Sequence, residues 1–251
     1  MNDATRAEVC VVACAEVWRD AGEILVSPIG MVPTVGARLA RATFAPELLL
    51  GDGGAMLAAG VWPVGEQPES YEGWLPYRSV FDLVWNGRRH VMMMPSQIDR
   101  HGNANISYIG ADFARPDVQL LGVRGAPGNT VNHPTSYWLP RHSTRALVPR
   151  VDMVAGVGND SAAAAPGAGR FHDLRRLVTN LGVFDWNGPE ETMRIVSLHP
   201  GVSRDEVAEA TGFELGADDE VAETRLPSDE ELRLIREEID PKGVRDREVR
   251  A

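Results

Sequence analysis

Within nine residues the chain gathers Gln97, Asp99, Arg100, His101, Asn103 and Asn105 around a single glycine, Gly102. A plain turn needs a glycine and one Asx side chain. This density of donors and acceptors, which includes Gln97, Asp99, Gly102 and Asn103, is more than a turn requires and marks a stretch that could carry chemistry. A packed structural corner is the alternative reading. The second cluster is Gly51-Asp52-Gly53-Gly54, directly after the apolar run Leu48-Leu49-Leu50. Glycines there let backbone approach a ligand closely, or close a turn at positive φ. In an open parallel sheet, ligands bind outside the carboxyl ends of the strands. The spacing is not that of a dinucleotide fingerprint.

Other chemistries lack their residues. The six histidines are scattered, with no pair at metal-ligand spacing, and neither a nucleophile elbow nor a phosphate loop occurs. Cys10 and Cys14 lie four apart, a helical spacing that rarely closes a disulfide. They read as small buried hydrophobes. The net charge of -11 argues against nucleic acid and anionic membranes as partners. Of the 25 cations, 24 are arginines, suited to planar recognition of carboxylate or phosphate. A reducing cytoplasmic setting is expected, since the N-terminal pattern is not that of a signal peptide and no apolar run is long enough to span a bilayer.

The elements that must position these residues follow from periodicity. A helix is expected over 5–20, a buried strand at Glu23–Ser27, a helix over 31–43 and a strand at Leu48–Leu50. Such alternation builds a parallel sheet covered by helices. Residues 61–79, with Pro63, Pro68, Pro76 and four aromatics, read as a long loop and as the candidate contact face for a partner. Residues 156–169 read as a flexible small-residue hinge, the glycines and Pro166 opposing a helix there. A strand is expected at Arg194–His199, then two helices opened by Ser203 and Ser228, each with a glutamate three residues on. The charged segment from about residue 242 reads as a loose tail.

Seven stretches, in order along nearly the whole chain, resemble the β subunits of family I CoA transferases. They are Gln97-Ile98-Asp99 with Gly102-Asn103 and Asn105, Gly125-Ala126-Pro127-Gly128-Asn129, and residues 177–184. They continue through Leu198–Val202, Glu206-Val207 with Thr211-Gly212-Phe213, Thr224–Pro227 and Ile239-Asp240-Pro241. The resemblance implies an α/β fold with an open, mostly parallel sheet covered by helices, as one domain over residues 1–251. It implies an acyl-CoA substrate and an α-subunit partner, in an αβ or α2β2 assembly. No metal or organic cofactor is implied beyond the CoA carried by the substrate.

One departure carries most of the information. These transferases attack the thioester with a glutamate just after an early strand. The matching place here holds Gly53 or, with a shift of one residue, Asp52. Asp52 is the one weak catalytic candidate: its shorter side chain falls about 1 Å short, which costs on the order of 100-fold in rate. The chain most resembles a branch of the family, the β subunits of actinobacterial steroid ring-cleaving acyl-CoA hydrolases. That resemblance implies hydration and retro-Claisen-like opening of the last ring of a CoA-linked cyclohexenone carboxylate in cholesterol catabolism, with the base on the α subunit. Gly51, Asp52, Gly53 and Gly54 then form a wall of the site. Gln97, Asp99, Gly102 and Asn103 shape the pocket or the subunit contact, or hold a structural corner. Gly125, Gly128 and Asn129 line the acyl-CoA channel, and Arg124 pairs with a substrate carboxylate or makes a surface salt bridge. The alternatives are an orthodox 3-oxoacid or glutaconate-type CoA transferase subunit, a non-catalytic acyl-CoA-binding scaffold, and a sugar-phosphate isomerase.

Overall fold

Thr5 opens the first helix with a reciprocal cap: its hydroxyl accepts the Glu8 N–H, and the Glu8 carboxylate accepts the Thr5 N–H. This computed structural model describes residues 3–165 and 167–249, the side chain of Asp219 excepted. Helix α1 (Arg6–Glu16) is shorter than the 5–20 expected and more enclosed, buried without a break from Ala7 to Ala15. Glu8 goes inward with its apolar neighbours. Cys10 and Cys14 are both buried and form no disulfide, as their reading as small hydrophobes requires.

Strand β1 (Leu25–Pro28), helix α2 (Met31–Thr43) and strand β2 (Leu49–Gly51) follow as expected, with β1 and β2 parallel and Leu25 opposite Leu49. β3 (Met56–Ala58) and β4 (Tyr71–Trp74) add antiparallel strands. Helix α3 (Tyr77–Asn86) then leads to β5 (Arg89–Met93), parallel to β1. The strand order is β5-β1-β2-β3-β4. The stretch 61–79 is therefore not a structureless loop. Pairing with β3 makes β4 of it, and Pro76, with its extended backbone, stands at the N-cap of α3.

From Met94 to Glu223 the chain forms a second compact unit. Two small hairpins, β6 (Gln97–Ile98) with β7 (Ala104–Asn105) and β8 (Tyr108–Ile109) with β9 (Val118–Gln119), precede helix α4 (Ala126–Asn132). β10 (Pro134–Leu139) pairs in parallel with β11 (Asp173–Thr179), with helix α5 (Asn159–Ala164) between them in sequence. β12 (Gly182–Asp185), β13 (Arg194–Leu198), helix α6 (Arg204–Glu209) and β14 (Gly216–Glu223) complete the order β10-β11-β12-β13-β14. The flexible hinge expected at 156–169 is corrected. Gly156 bonds the backbone of Ala104, the Gly158 N–H donates to Asn103 Oδ1, and Asn159–Ala164 is helical. These bonds outweigh the disorder that small residues favour. Pro166 lies outside the described residues.

The chain re-enters the first unit at Thr224, and that unit otherwise runs to Met93. Ser228 caps helix α7 (Asp229–Arg233) with the expected capping box through Glu231, and a π-helical stretch, Leu234–Ile239, runs on to Asp240. The loose tail is also corrected. Val244–Arg247 forms a 3-10 turn, Arg245 is buried, and the Glu248 carboxylate accepts the Met31 and Val32 N–H groups. Gly30 at the N-cap of α2 has no side chain to do this, so the segment supplies the cap from outside. Residues 250 and 251 of that tail lie outside the described residues.

Candidate functional site

Strand β2 ends at Gly51 and the chain turns back through Asp52, Gly53 and Gly54 into β3. Asp52 makes this turn: its N–H donates to the Met56 carbonyl, and its Oδ1 accepts the N–H groups of Gly54 and Met56 at 2.8 and 3.1 Å. Gly53 sits at φ +84, a backbone that only glycine adopts cheaply, with nothing within 4 Å of where a Cβ would stand. All four residues line one cavity of about 390 Å3 in the first unit. Its apolar side includes Leu25, Val26, Pro28, Met56, Val80 and Leu83; Arg38 and Arg89 bring cations. That volume and lining are those of a small-molecule pocket. The site lies where β1 and β2 end, as parallel-sheet geometry expects.

Arg38 was not legible as a site residue. It lies on α2 among Val35, Ala37 and Leu39, all buried, and is itself 8% exposed. Its Nη1 donates to the Trp62 carbonyl at 2.9 Å, and its guanidinium carbon stands 4.0 Å from the centre of the Trp62 ring. Burial lowers its pKa to about 10. An arginine on the inward stripe of a helix was the available signal. Burial lowers the pKa of Arg89 as well.

The second unit holds the remaining candidates, in two groups. Gln97 Oε1 accepts from Asn105 Nδ2 and from the Asp152 N–H, while its Nε2 donates to Asp152. Asn103 donates through Nδ2 to Asp99 and Asp160, and its Oδ1 accepts the Gly158 N–H. Burial raises the pKa of Asp99, against the hydrogen bonds from Asn103 and His101. Gly102, at φ +83, has no room for a Cβ, which would fall 2.5 Å from Leu174 Cδ1. These bonds are those of a packed corner. Asn103 and Asp99 also border a cavity of about 440 Å3 with Arg150 and Asp160. Gly125 caps α4, which carries Gly128 and the buried Asn129. Arg124 is exposed, with φ +50 and its Nε donating to the Leu121 carbonyl. His142 is a buried structural group between Thr179 and Thr211, its pKa lowered to about 4 by burial. Among the described residues no cluster of histidine, cysteine or carboxylate could hold a metal ion.

The fold is that of the CoA-transferases. Superposed on glutaconate CoA-transferase of Acidaminococcus fermentans, the chain gives a TM-score of 0.80 at 24% identity, covering 96% of this chain and 97% of that one. No protein-family model matches the sequence. A crystal structure of IpdAB from Rhodococcus jostii RHA1 covers 100% of both chains with a TM-score of 0.95 and 52% identity. The cholesterol ring-cleaving hydrolase IpdB subunit of Rhodococcus jostii is 53% identical over 249 residues, 99% of this chain and 98% of its own. The chain belongs to the family of IpdB subunits of cholesterol ring-cleaving hydrolases.

Proposed function

We propose that the chain is the β subunit of a hetero-oligomeric hydrolase, αβ or α2β2, that opens the last ring of a CoA-linked cyclohexenone carboxylate in cholesterol catabolism. Its relatives bear the name of that hydrolase's subunit, and a solved neighbour is a two-component complex. The observation that carries the mechanistic reading is Asp52. It is the carboxylate at the turn where the transferases keep a nucleophile, and its Oδ1 is committed to two backbone N–H groups. A carboxylate tied into its own turn is a poor attacking group. The base therefore comes from the α subunit, and this chain supplies the wall around the reacting ring.

The chemistry asks for little else. After hydration of the enone, a base takes the proton of the water that adds to the ring ketone. The tetrahedral oxyanion collapses, and the bond to the carbon beside the thioester breaks. Its electron pair enters the thioester as an enolate, which is then protonated. Such steps need a base and donors for the developing charge, with no cofactor beyond the CoA of the substrate. The reading places the enzyme in the cytoplasm; among the described residues no helix is long and apolar enough to cross a membrane.

The α subunit docks, in this reading, on the face carrying Trp74, Tyr77, Phe81 and Trp85. These are 73%, 77%, 53% and 72% exposed, a larger apolar display than single surface hydrophobes make. Turnover of the thioester by the reconstituted complex in 18O-labelled water tests the function. Hydrolysis puts label into the new carboxylate of the opened ring. Transfer of CoA to an added acid, without ring opening, would refute it.

A further inference from the structure

We infer that Arg38 is the recognition site for a free carboxylate on the acyl group of the substrate; this rests on the function proposed above. The argument starts from pairing. Arg245, equally buried, meets two carboxylates, Glu8 and Asp240. Arg41, one turn along α2 from Arg38, meets Glu72. Among the described residues no carboxylate pairs with Arg38, although it is 8% exposed. A buried guanidinium without an anion is costly to fold, so its retention in a cavity wall marks a place where a ligand brings the charge.

The geometry prepares it. The Trp62 ring holds one face of the guanidinium plane, and the Trp62 carbonyl takes one N–H on Nη1. The plane is thereby fixed before any ligand arrives, and the other N–H donors keep the fork that matches a carboxylate. Arg38 lines the same cavity as the Gly51–Gly54 turn, and Arg89 lines it too. Asp52 is the negative group in that wall, its Oδ1 facing its own backbone donors. The remaining wall is mostly leucine, valine, proline and methionine. An apolar chamber with a fixed guanidinium suits a ring bearing one carboxylate better than a dianionic phosphate, which demands more donors.

The test uses the complete complex with its α subunit and an Arg38→Met variant. Three thioesters are compared: the cyclohexenone with a free carboxylate, its methyl ester, and the carboxylate on 3′-dephospho-CoA. The wild type should favour acid over ester by about tenfold to a hundredfold in kcat/KM, the scale of a lost charged hydrogen bond. The variant should lose that preference, chiefly through KM, and Arg38→Lys should restore part of it. Equal losses on acid and ester would assign Arg38 to structure alone and overturn the inference. A loss that disappears on dephospho-CoA would assign it to the CoA phosphate and overturn it as well. Calorimetric binding of the CoA monothioester of cyclohexane-1,4-dicarboxylic acid, against its methyl ester, reads the same preference without turnover. A complex that binds with the preference but opens no ring would refute the proposed reaction and leave the carboxylate site standing.

Discussion

Replacing Glu8 by glutamine removes one negative charge from the interior of the first unit. Glu8 accepts from Arg236 Nε and Nη2 at 2.8 and 3.0 Å, from Arg245 Nη2 at 2.8 Å, and from the Thr5 N–H at 2.8 Å. Burial pushes its pKa up. The Arg236 hydrogen bond, the Thr5 N–H and both arginine charges reverse that and hold it at about 2, against 4.5. At 1.36 kcal/mol per unit, the difference is worth about 3 kcal/mol. Breaking a buried pair costs about 3–5 kcal/mol, and Arg245 keeps Asp240, which favours the lower end. Both routes give about 3 kcal/mol for Glu8→Gln at pH 7. A depressed carboxylate pKa means this stability is present above pH 4.5 and fades as pH falls towards 2. The cost of the substitution should therefore shrink over that window. Urea denaturation of the assembled complex, at one fixed protein concentration, measures it. A cost below about 0.5 kcal/mol at pH 7, or one that grows towards pH 2, would refute the reasoning.

Three further outcomes are expected. Asp52→Asn should keep kcat within about tenfold, because an amide oxygen still accepts the Gly54 and Met56 N–H groups. A loss of four orders with the fold intact would make Asp52 a catalytic group. Gly102→Ala should lower stability by at least about 2 kcal/mol, read as a thermal shift, since its Cβ meets Leu174 and Trp186 at positive φ. A neutral outcome would show that the corner yields. A paired Phe81→Asp and Trp85→Asp variant should fold yet fail to retain the α subunit in native mass spectrometry. Full retention would place the partner elsewhere.

The strand–helix–strand start was legible because each element follows a single local rule. Helix α2 obeys its 3.6 period and begins and ends at Met31 and Thr43 as expected. The Ser228 cap was equally local. What escaped was set at long range. Residues 156–158 looked free, since nothing nearby in sequence says that Asn103 will receive the Gly158 N–H. The charged tail looked loose, since its partners Glu8 and Met31 lie at the other end of the chain. The site divides in the same way. The glycine turn stood out by composition and does wall a cavity. Gln97 and Asn103 stood out too, yet most of their polar atoms serve their own corner. Arg38 was hidden because an arginine in a helix is usually a solvated one; its place on the inward stripe was the one sequence signal, and burial confirms it.

The return of the chain at Thr224 also dictates an order of events during synthesis. Met94–Glu223 is one uninterrupted stretch and can close while the ribosome is still at work. The segment made first cannot. Glu8 waits for Arg236 and Arg245, 228 and 237 residues later, and the amino end of α2 waits for Glu248. Until then the newborn first unit carries a buried acid without its bases and an uncapped helix, the form in which a chaperone would meet it.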